Sequence, residues 1–134
     1  DNEELKVRVS IPENTRVMAD DGELGRVISN LLENARRYVK SPVTRIATVE
    51  IGAKARDEWI LVKIRDHGPG VPPAILADLT KPFFRGDASR SAATGAGLGL
   101  SIVDKTVQRM GGIFALANTG SGGLAAHIQL QKAK

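Results

Sequence analysis

Alternating apolar and polar residues predict several β-strands. The first run alternates from Leu5 to Ile11, which predicts a strand with one buried face. A short second strand is expected at 16–19, and the last strand is expected where apolar residues alternate from Leu124 to Leu130. Further strands are predicted by β-rich runs at 46–51, 59–65 and 113–117, the first two forming a hairpin joined by residues 52–58.

Apolar residues at helical spacing predict two long helices. The first should run from about Asp21 to Tyr38, with Asp20 placed to cap it and Glu23 three residues later, as in a capping box. Its apolar stripe consists of Leu24, Val27, Ile28, Leu31 and Ala35. The second is expected at 97–110, where Gly111-Gly112 would end it. A shorter helix is expected at 73–79 and a flexible loop at 85–96.

The order of these elements predicts an α+β fold in a single domain, 1–134. Two long helices and four to six strands suggest two layers, with the helices on one face of a mixed sheet. The length suffices for one domain with a buried core. Because the chain opens on Asp1 with no initiator methionine, we expect it to be a piece of a longer protein.

Composition excludes several kinds of site and partner. The chain has no cysteine and only two histidines, which excludes disulfide frameworks, thiolate metal sites and histidine-rich metal sites. No apolar run approaches the ~20 residues of a membrane span. The net charge of +4 would suit nucleic acid, but basic residues are scattered among acidic ones and aromatic residues are few. No nucleic-acid partner is therefore expected.

Two glycine clusters carry candidate binding chemistry. The cluster at 66–70 follows a predicted strand, where glycines let a flat ligand approach and the Asp66 carboxylate can accept from an amine such as adenine N6. The cluster at 95–100 opens a predicted helix, whose N-terminal amides suit phosphate. Its G-x-G-x-G spacing matches neither the Rossmann fingerprint nor a P-loop. Taken alone, each cluster is also compatible with an ordinary turn or helix cap.

A third feature lies on the first predicted helix, where Asn30, Asn34, Arg37 and Tyr38 border the apolar stripe. The two asparagines lie about 40° apart around the axis, at ~100° per residue. An amide oxygen can ligate Mg²⁺ without adding negative charge beside phosphates. On this helix alone, a pair of solvated asparagines explains the pattern equally well.

Together and in this order, the three features resemble the nucleotide-binding domain of sensor histidine kinases. This domain belongs to an ATPase superfamily that also includes gyrase, a heat-shock chaperone and MutL, and the fold of that superfamily is the two-layer Bergerat-type ATP-binding fold. Residues 30–38 resemble the family's N box, 66–70 its G1 box, 82–87 its F box and 95–100 its G2 box. The resemblance spans about 5–131 and is closest to osmosensing kinases of the EnvZ type.

The resemblance implies ATP and Mg²⁺ as ligands and assigns roles by position. Asn34 would hold Mg²⁺ with Asn30 close to the phosphates, Arg37 would meet phosphate, and Tyr38 would pack on the adenine or ribose. Asp66 would accept from adenine N6. The resemblance also gives roles to three further groups of residues. The base pocket would be formed by Gly68, Gly70, Val71, Ile75 and Leu79, and the lid would be anchored by Phe84 and Arg85. The phosphates would be bound by Gly95, Gly97, Leu98, Gly99 and Leu100.

Two positions depart from the family's pattern. Ala96 stands where many members have Thr or Ser, so one hydroxyl contact to phosphate would be missing. Leu124-Ala125, after Gly122-Gly123, lacks the usual hydroxyl near the adenine.

By the same resemblance, the chain would be the catalytic domain of a protein histidine kinase in two-component signal transduction. It would transfer the γ-phosphoryl group of ATP to a histidine on the parent's dimerisation domain, with a response regulator downstream. His67 lies in a glycine turn and His127 in a predicted strand, so neither is expected to be the acceptor. The fragment is expected to be a monomer, and the parent a homodimeric inner-membrane sensor with this domain in the cytoplasm.

Three alternatives remain. ATP-hydrolysing members of the superfamily carry a glutamate four residues before the metal-binding Asn, where this chain has Asn30. Glu33 lies about 100° around the helix from Asn34 and should face solvent. A serine kinase of the anti-sigma type shares the fold and would be excluded by a histidine-bearing helix pair in the parent. A partner-binding module without nucleotide is disfavoured by Asn34, Asp66 and the G2 glycines.

Overall fold

The computed structural model describes residues 5–38, 47–68, 96–120 and 122–133, with backbone alone at 37–38 and 96–99. Within these ranges the chain forms five strands and two helices. In chain order they are β1 (Leu5–Ser10), α1 (Asp21–Tyr38), β2 (Ala47–Arg56), β3 (Trp59–Asp66), α2 (Ala96–Arg109), β4 (Ile113–Asn118) and β5 (Leu124–Gln131).

The five strands form one mixed sheet in the order β1-β2-β3-β5-β4. β1 pairs in parallel with β2, and the remaining neighbours are antiparallel. A parallel pair needs a long crossover connection, and α1 lies in the connection between β1 and β2. The predicted α+β fold with a mixed sheet is confirmed.

The hydrophobic core lies between the two helices and one face of the sheet. Val27 and Leu31 of α1 and Val103 and Val107 of α2 are buried against the sheet. The sheet contributes Val49, Ile51, Ile64, Phe114, Ala126, Ile128 and Leu130, which share one face in the strand register. The two-layer arrangement follows from this pattern, because each helix has only one apolar stripe to bury.

Local sequence signals set the helix ends. At the start of α1 the backbone N–H of Glu23 donates to Asp20 Oδ2 at 2.9 Å, so the predicted cap is confirmed, as are the helix bounds. After α2, Gly111 takes a φ of 78°. The N–H of Gly111 donates to Gln108 and that of Gly112 to Val107, both at 2.9 Å, which is a Schellman motif.

The prediction of a buried face on β1 is wrong. Val7 is 37% exposed, Val9 62% and Ile11 45%. Among the described strands, β1 lies at the edge of the sheet and pairs with β2 alone. Alternation therefore identified the strand correctly, but it carries no information on how far the helices extend over the sheet edge.

Two further boundaries differ from the sequence prediction. β2 continues through Gly52 to Arg56, and only Asp57 and Glu58, with Asp57 at a φ of 55°, connect it to β3. Gly52 had suggested a turn, but it pairs in the ladder with Ser10 and Lys63. The strand expected at 16–19 is a single bridge between Val17 and Lys132. The helix expected at 73–79 and residues 85–95 of the loop expected at 85–96 lie outside the described residues, and Ala96 belongs to α2.

Candidate functional site

A pocket opens between the two helices and the helix-covered face of the sheet. The described residues that line it are Leu31, Asn34, Ala35, Val49, Ile64, Asp66, Leu100, Leu116, Leu124 and Ala126. Among these, Asn34 and Asp66 supply the only polar side chains, and the walls are otherwise apolar. The fold thus places one residue from each of the three sequence features, Asn34, Asp66 and Leu100, around one pocket.

The elements that carry these residues explain why they meet. Leu31 and Ala35 are buried on α1, and Asn34 lies half-buried beside them at the edge of the same stripe. Asp66 is the last residue of β3 and pairs with Val49 of β2 on the core face. Leu100, 4% exposed, is buried in the first half of α2.

The Asp66 carboxylate is held by two backbone groups. Its Oδ1 accepts from the N–H of Gly68 at 3.0 Å and from the N–H of Leu124 at 2.9 Å. Within the described residues, its second oxygen, Oδ2, accepts no hydrogen bond. One carboxylate oxygen therefore fixes the side chain to the protein.

A diglycine turn supplies one of those two donors. Gly122 and Gly123 have φ values of 101° and 100°, and the N–H of Thr119 donates to the Gly123 carbonyl at 3.0 Å. A Cβ on Gly123 would lie 2.1 Å from the backbone oxygen of Asp66. Only glycine permits this approach, which brings the Leu124 N–H to the carboxylate. The sequence signal for it was a Gly-Gly pair directly before a strand.

The other predicted site residues lie on α1 or α2, directly after β3, or outside the described residues. Asn30 is half-buried one turn before Asn34, and Gly68 directly follows β3. Arg37 and Tyr38 end α1. Gly97, Leu98 and Gly99 lie in the first turn of α2, which confirms that the second glycine cluster opens a helix. Outside the described residues lie Gly70, Val71, Ile75, Leu79, Phe84, Arg85 and Gly95.

Sequence reasoning missed most of the apolar lining. Val49, Ile64, Leu116, Leu124 and Ala126 come from four different strands. Leu124 and Ala126 belong to the alternation predicted for the last strand, whereas Val49, Ile64 and Leu116 lie in runs predicted only as strands. What the sequence pattern lacked was the strand order, which brings β5 between β3 and β4.

The two histidines lie away from the pocket lining. His67 Nε2 is 3.3 Å from Glu50 Oε2 in an exposed pair. His127 is exposed on β5 opposite Lys63, and partial burial, with a smaller effect of the Lys63 charge, lowers the pKa of its imidazole. Among the described residues, no three His, Cys, Asp or Glu side chains lie close enough to hold a metal. The described helices include none long and apolar enough to cross a membrane.

An apolar slot with one carboxylate oxygen and one amide at its edge suits a flat heterocycle that carries an exocyclic amine. The first turn of α2 is close by, since Leu100 lines the slot. Amides of such a turn attract anions. The geometry is thus that of a site for a base attached to phosphates.

Comparisons with known proteins agree with this geometry. Residues 19–134 match the family model described as histidine kinase-, DNA gyrase B-, and HSP90-like ATPase. The sensor protein KdpD of Mycobacterium tuberculosis is 40% identical over 114 residues, which cover 84% of this chain and 12% of KdpD. The histidine-protein kinase BaeS of Escherichia coli K12 is 33% identical over 127 residues, which cover 94% of this chain and 26% of BaeS.

A solved structure extends the likeness to three dimensions. The mycobacterial sensor histidine kinase MprB superposes with a TM-score of 0.79 at 30% identity, over 96% of this chain and 84% of that one. The chain spans about an eighth to a quarter of the length of the curated relatives KdpD and BaeS. The closer likeness to the EnvZ type stays a prediction.

Proposed function

This chain belongs to the family of histidine kinase-, DNA gyrase B- and HSP90-like ATPases, as the catalytic ATP-binding domain of a sensor histidine kinase, and from that premise we propose how its site works. It binds ATP with Mg²⁺ and donates the γ-phosphoryl group to a histidine on the parent's dimerisation domain. The observation that carries this proposal is the meeting of Asn34, Asp66 and Leu100 at one pocket.

In this proposal Asp66 reads the adenine. Its Oδ1 is occupied by the N–H groups of Gly68 and Leu124, so Oδ2 accepts from the adenine N6 amine. Leu31, Ile64 and Leu116 cover the faces of the ring. A purine with a carbonyl at this position would meet the carboxylate acceptor to acceptor, and the site therefore prefers ATP to GTP.

The donor set fits Mg²⁺ held together with nucleotide. Asn34 offers a neutral amide oxygen at the pocket, and the described residues hold no acidic cluster that would bind the ion alone. Mg²⁺ commonly takes few protein ligands and completes its shell with phosphate oxygens and water. When bound it neutralises phosphate charge. From the family resemblance we assign Asn30, Arg37 and Tyr38 to the phosphate and ribose side of the site.

The transfer step needs groups from outside this chain. The bond from the γ-phosphorus to the ADP oxygen breaks and a bond to the unprotonated imidazole nitrogen of the acceptor forms, while the proton on the other ring nitrogen passes to an acidic neighbour of that histidine. His67 lies in an exposed turn and His127 on a strand, so we assign neither to this role. The parent acts as a homodimeric inner-membrane sensor, with this domain in the cytoplasm and a response regulator downstream.

The proposal that the acceptor histidine lies on a separate domain can be tested with γ-labelled ATP and Mg²⁺. The isolated domain is expected to stay unlabelled, and addition of the parent's histidine-bearing helical domain is expected to give acid-labile label on that domain. Stable labelling of His67 or His127 would contradict the proposal. Phosphate release without any labelled protein would instead favour the ATP-hydrolysing alternative. That alternative needs a glutamate that orients water, and Glu33 does not suit this role because it is paired with Arg36.

A further inference from the structure

The face of the sheet opposite the helices, which we call the outer face, is open to solvent and strongly basic. Strand register places on it six Lys or Arg side chains of the described strands and one carboxylate, Glu50. The six cationic residues are Lys6, Arg8, Lys54, Arg56, Lys63 and Arg65. The chain as a whole has a net charge of +4. Residues scattered in sequence are thus collected by the fold on one surface, where their fields add.

The outer face has two distinct halves. The cationic side chains stand on β1, β2 and β3, β5 presents mainly polar residues such as His127 and Gln129, and β4 presents small and apolar residues. Among the latter, Ile113 is 52% exposed, and Ala115 lies beside it in the β4 register. Glu50 stands opposite both Arg8 and Arg65 and also contacts His67. That single carboxylate therefore leaves most of the positive charge uncompensated.

The surface is concave. One depression of ≈ 620 Å³ runs from Ser10 and Gly52 past Lys63 to Ile113, and a second of ≈ 350 Å³ lies beside Arg8. The two share Ser10, Gly52 and Lys63. Gly52 has no side chain, and it keeps the trough open between β1 and β3. A trough of this kind fits a chain segment better than it fits a flat lipid surface.

We propose that the outer face docks a short segment of a partner protein, with acidic residues over β1 to β3 and apolar residues over β4. Neighbouring strands lie ~4.8 Å apart, so the five strands span about 19 Å, which an extended segment of about six residues crosses. Nucleic acid is disfavoured because Trp59 is the only Phe, Tyr or Trp side chain on the described outer face, and stacking platforms use several.

The state of His127 agrees with a positive field at the trough. Its neighbours on the same face of the flanking strands are Leu61, Lys63 and Arg65 on β3 and Ile113, Ala115 and Ala117 on β4. Burial and the Lys63 charge both lower its pKa. A carboxylate placed beside it would oppose the effect of Lys63.

The test uses fluorescence anisotropy with a labelled peptide of four glutamates followed by two leucine–serine pairs. Lys63→Glu is expected to weaken binding by about tenfold, since it replaces an attraction with a repulsion. Ile113→Ser is expected to weaken the binding of this peptide about threefold. It should not weaken the binding of a control peptide in which each leucine is replaced by serine. Affinity should fall steeply with added salt.

The matched control is Lys105→Glu, the same charge change at an exposed position of α2 in the other layer. It is expected to leave peptide binding within twofold of the unmutated domain. Thermal unfolding of each variant checks that it is folded. Equal losses in Lys63→Glu and Lys105→Glu would overturn the proposal, because binding would then follow net charge alone. Lys63-dependent binding to phosphatidylserine vesicles or to single-stranded DNA that is tighter than binding to the peptide would contradict the proposal, and it would identify a lipid surface or a nucleic acid as the partner.

Discussion

Replacement of Asp66 by asparagine should reverse the base preference of this domain, because the structure fixes the orientation of the side chain. Oδ1 accepts from two backbone N–H groups, at 3.0 Å from Gly68 and 2.9 Å from Leu124. An amide at this position keeps both bonds only if its oxygen takes the place of Oδ1. Its NH₂ group then takes the place of Oδ2 and presents donors to the base.

The expected magnitudes follow from these contacts. An adenine amine facing an NH₂ group loses a hydrogen bond and leaves a polar group unpaired, at ~1–3 kcal/mol, or about ten-fold to a hundred-fold in ATP affinity. GTP affinity should rise, since the guanine carbonyl can accept from the NH₂. The unmutated domain is expected to prefer ATP by about ten-fold to a hundred-fold, so in Asp66→Asn the preference should vanish or invert.

Folding stability separates this effect from a general loss of structure. Asp66→Asn keeps two hydrogen bonds but loses their charge assistance, which should lower the free energy of unfolding by about 2 kcal/mol. Asp66→Ala leaves both N–H groups without this acceptor and should cost more. Asp57→Asn is the matched control: it makes the same change in the turn at the other end of β3, where Asn tolerates the φ of 55°.

The assay is competition binding of ATP and GTP to the unmutated domain and to the three variants, beside denaturant unfolding. If Asp66→Asn lowered the two affinities by one common factor, Asp66 would be a structural residue of the glycine turn and the reasoning about base recognition would be refuted. If Asp57→Asn altered the preference for ATP over GTP, then charge at a distance, and not the contact of Asp66 with the base, would determine that preference.

Three further changes test other parts of the site and fold. Asn34→Ala should remove most of the effect of Mg²⁺ on nucleotide affinity in titration calorimetry, and an unchanged effect would move the metal role to another residue. Gly123→Ala should lower the free energy of unfolding by about 2 kcal/mol or more, since its Cβ would lie 2.1 Å from the backbone oxygen of Asp66. In the control Gly120→Ala the Cβ meets nothing within 4 Å, and the free energy of unfolding should not fall in this way. Because the folded state lowers the pKa of His127, the unfolded chain binds the proton first as pH falls below 6.5. Stability should therefore drop on acidification, and less so in His127→Gln; equal slopes in thermal melts at several pH values would contradict this.

The sequence predicted most of the fold because its local signals agree with one another. The Asp20 cap and the Gly111 stop define helix ends within a residue or two, since each depends on a few neighbouring atoms. Exposure of β1 was not predictable, because it depends on which strand lies at the edge of the sheet. Gly52 misled for a related reason: a glycine that opens a surface trough has the same local signature as one that makes a turn.

The candidate site was predictable as a set of motifs but not as a geometry. Asn34 and Asp66 were identified by residue type and position. Their meeting at one pocket depends on the sheet order and on α1 crossing between β1 and β2. The hydrogen bond from the Leu124 N–H to Asp66 joins residues 58 positions apart, and no local pattern encodes it.

A titration of the ¹⁵N-labelled domain with ATP and Mg²⁺, followed by NMR, tests the central claim most directly. The account predicts that the largest shift changes fall on the backbone amides of Gly68 and Leu124 and on the side-chain amide of Asn34, because these groups surround the proposed adenine and metal positions. Shift changes confined to Lys63 and His127 on the outer face, or none at saturating nucleotide, would contradict it.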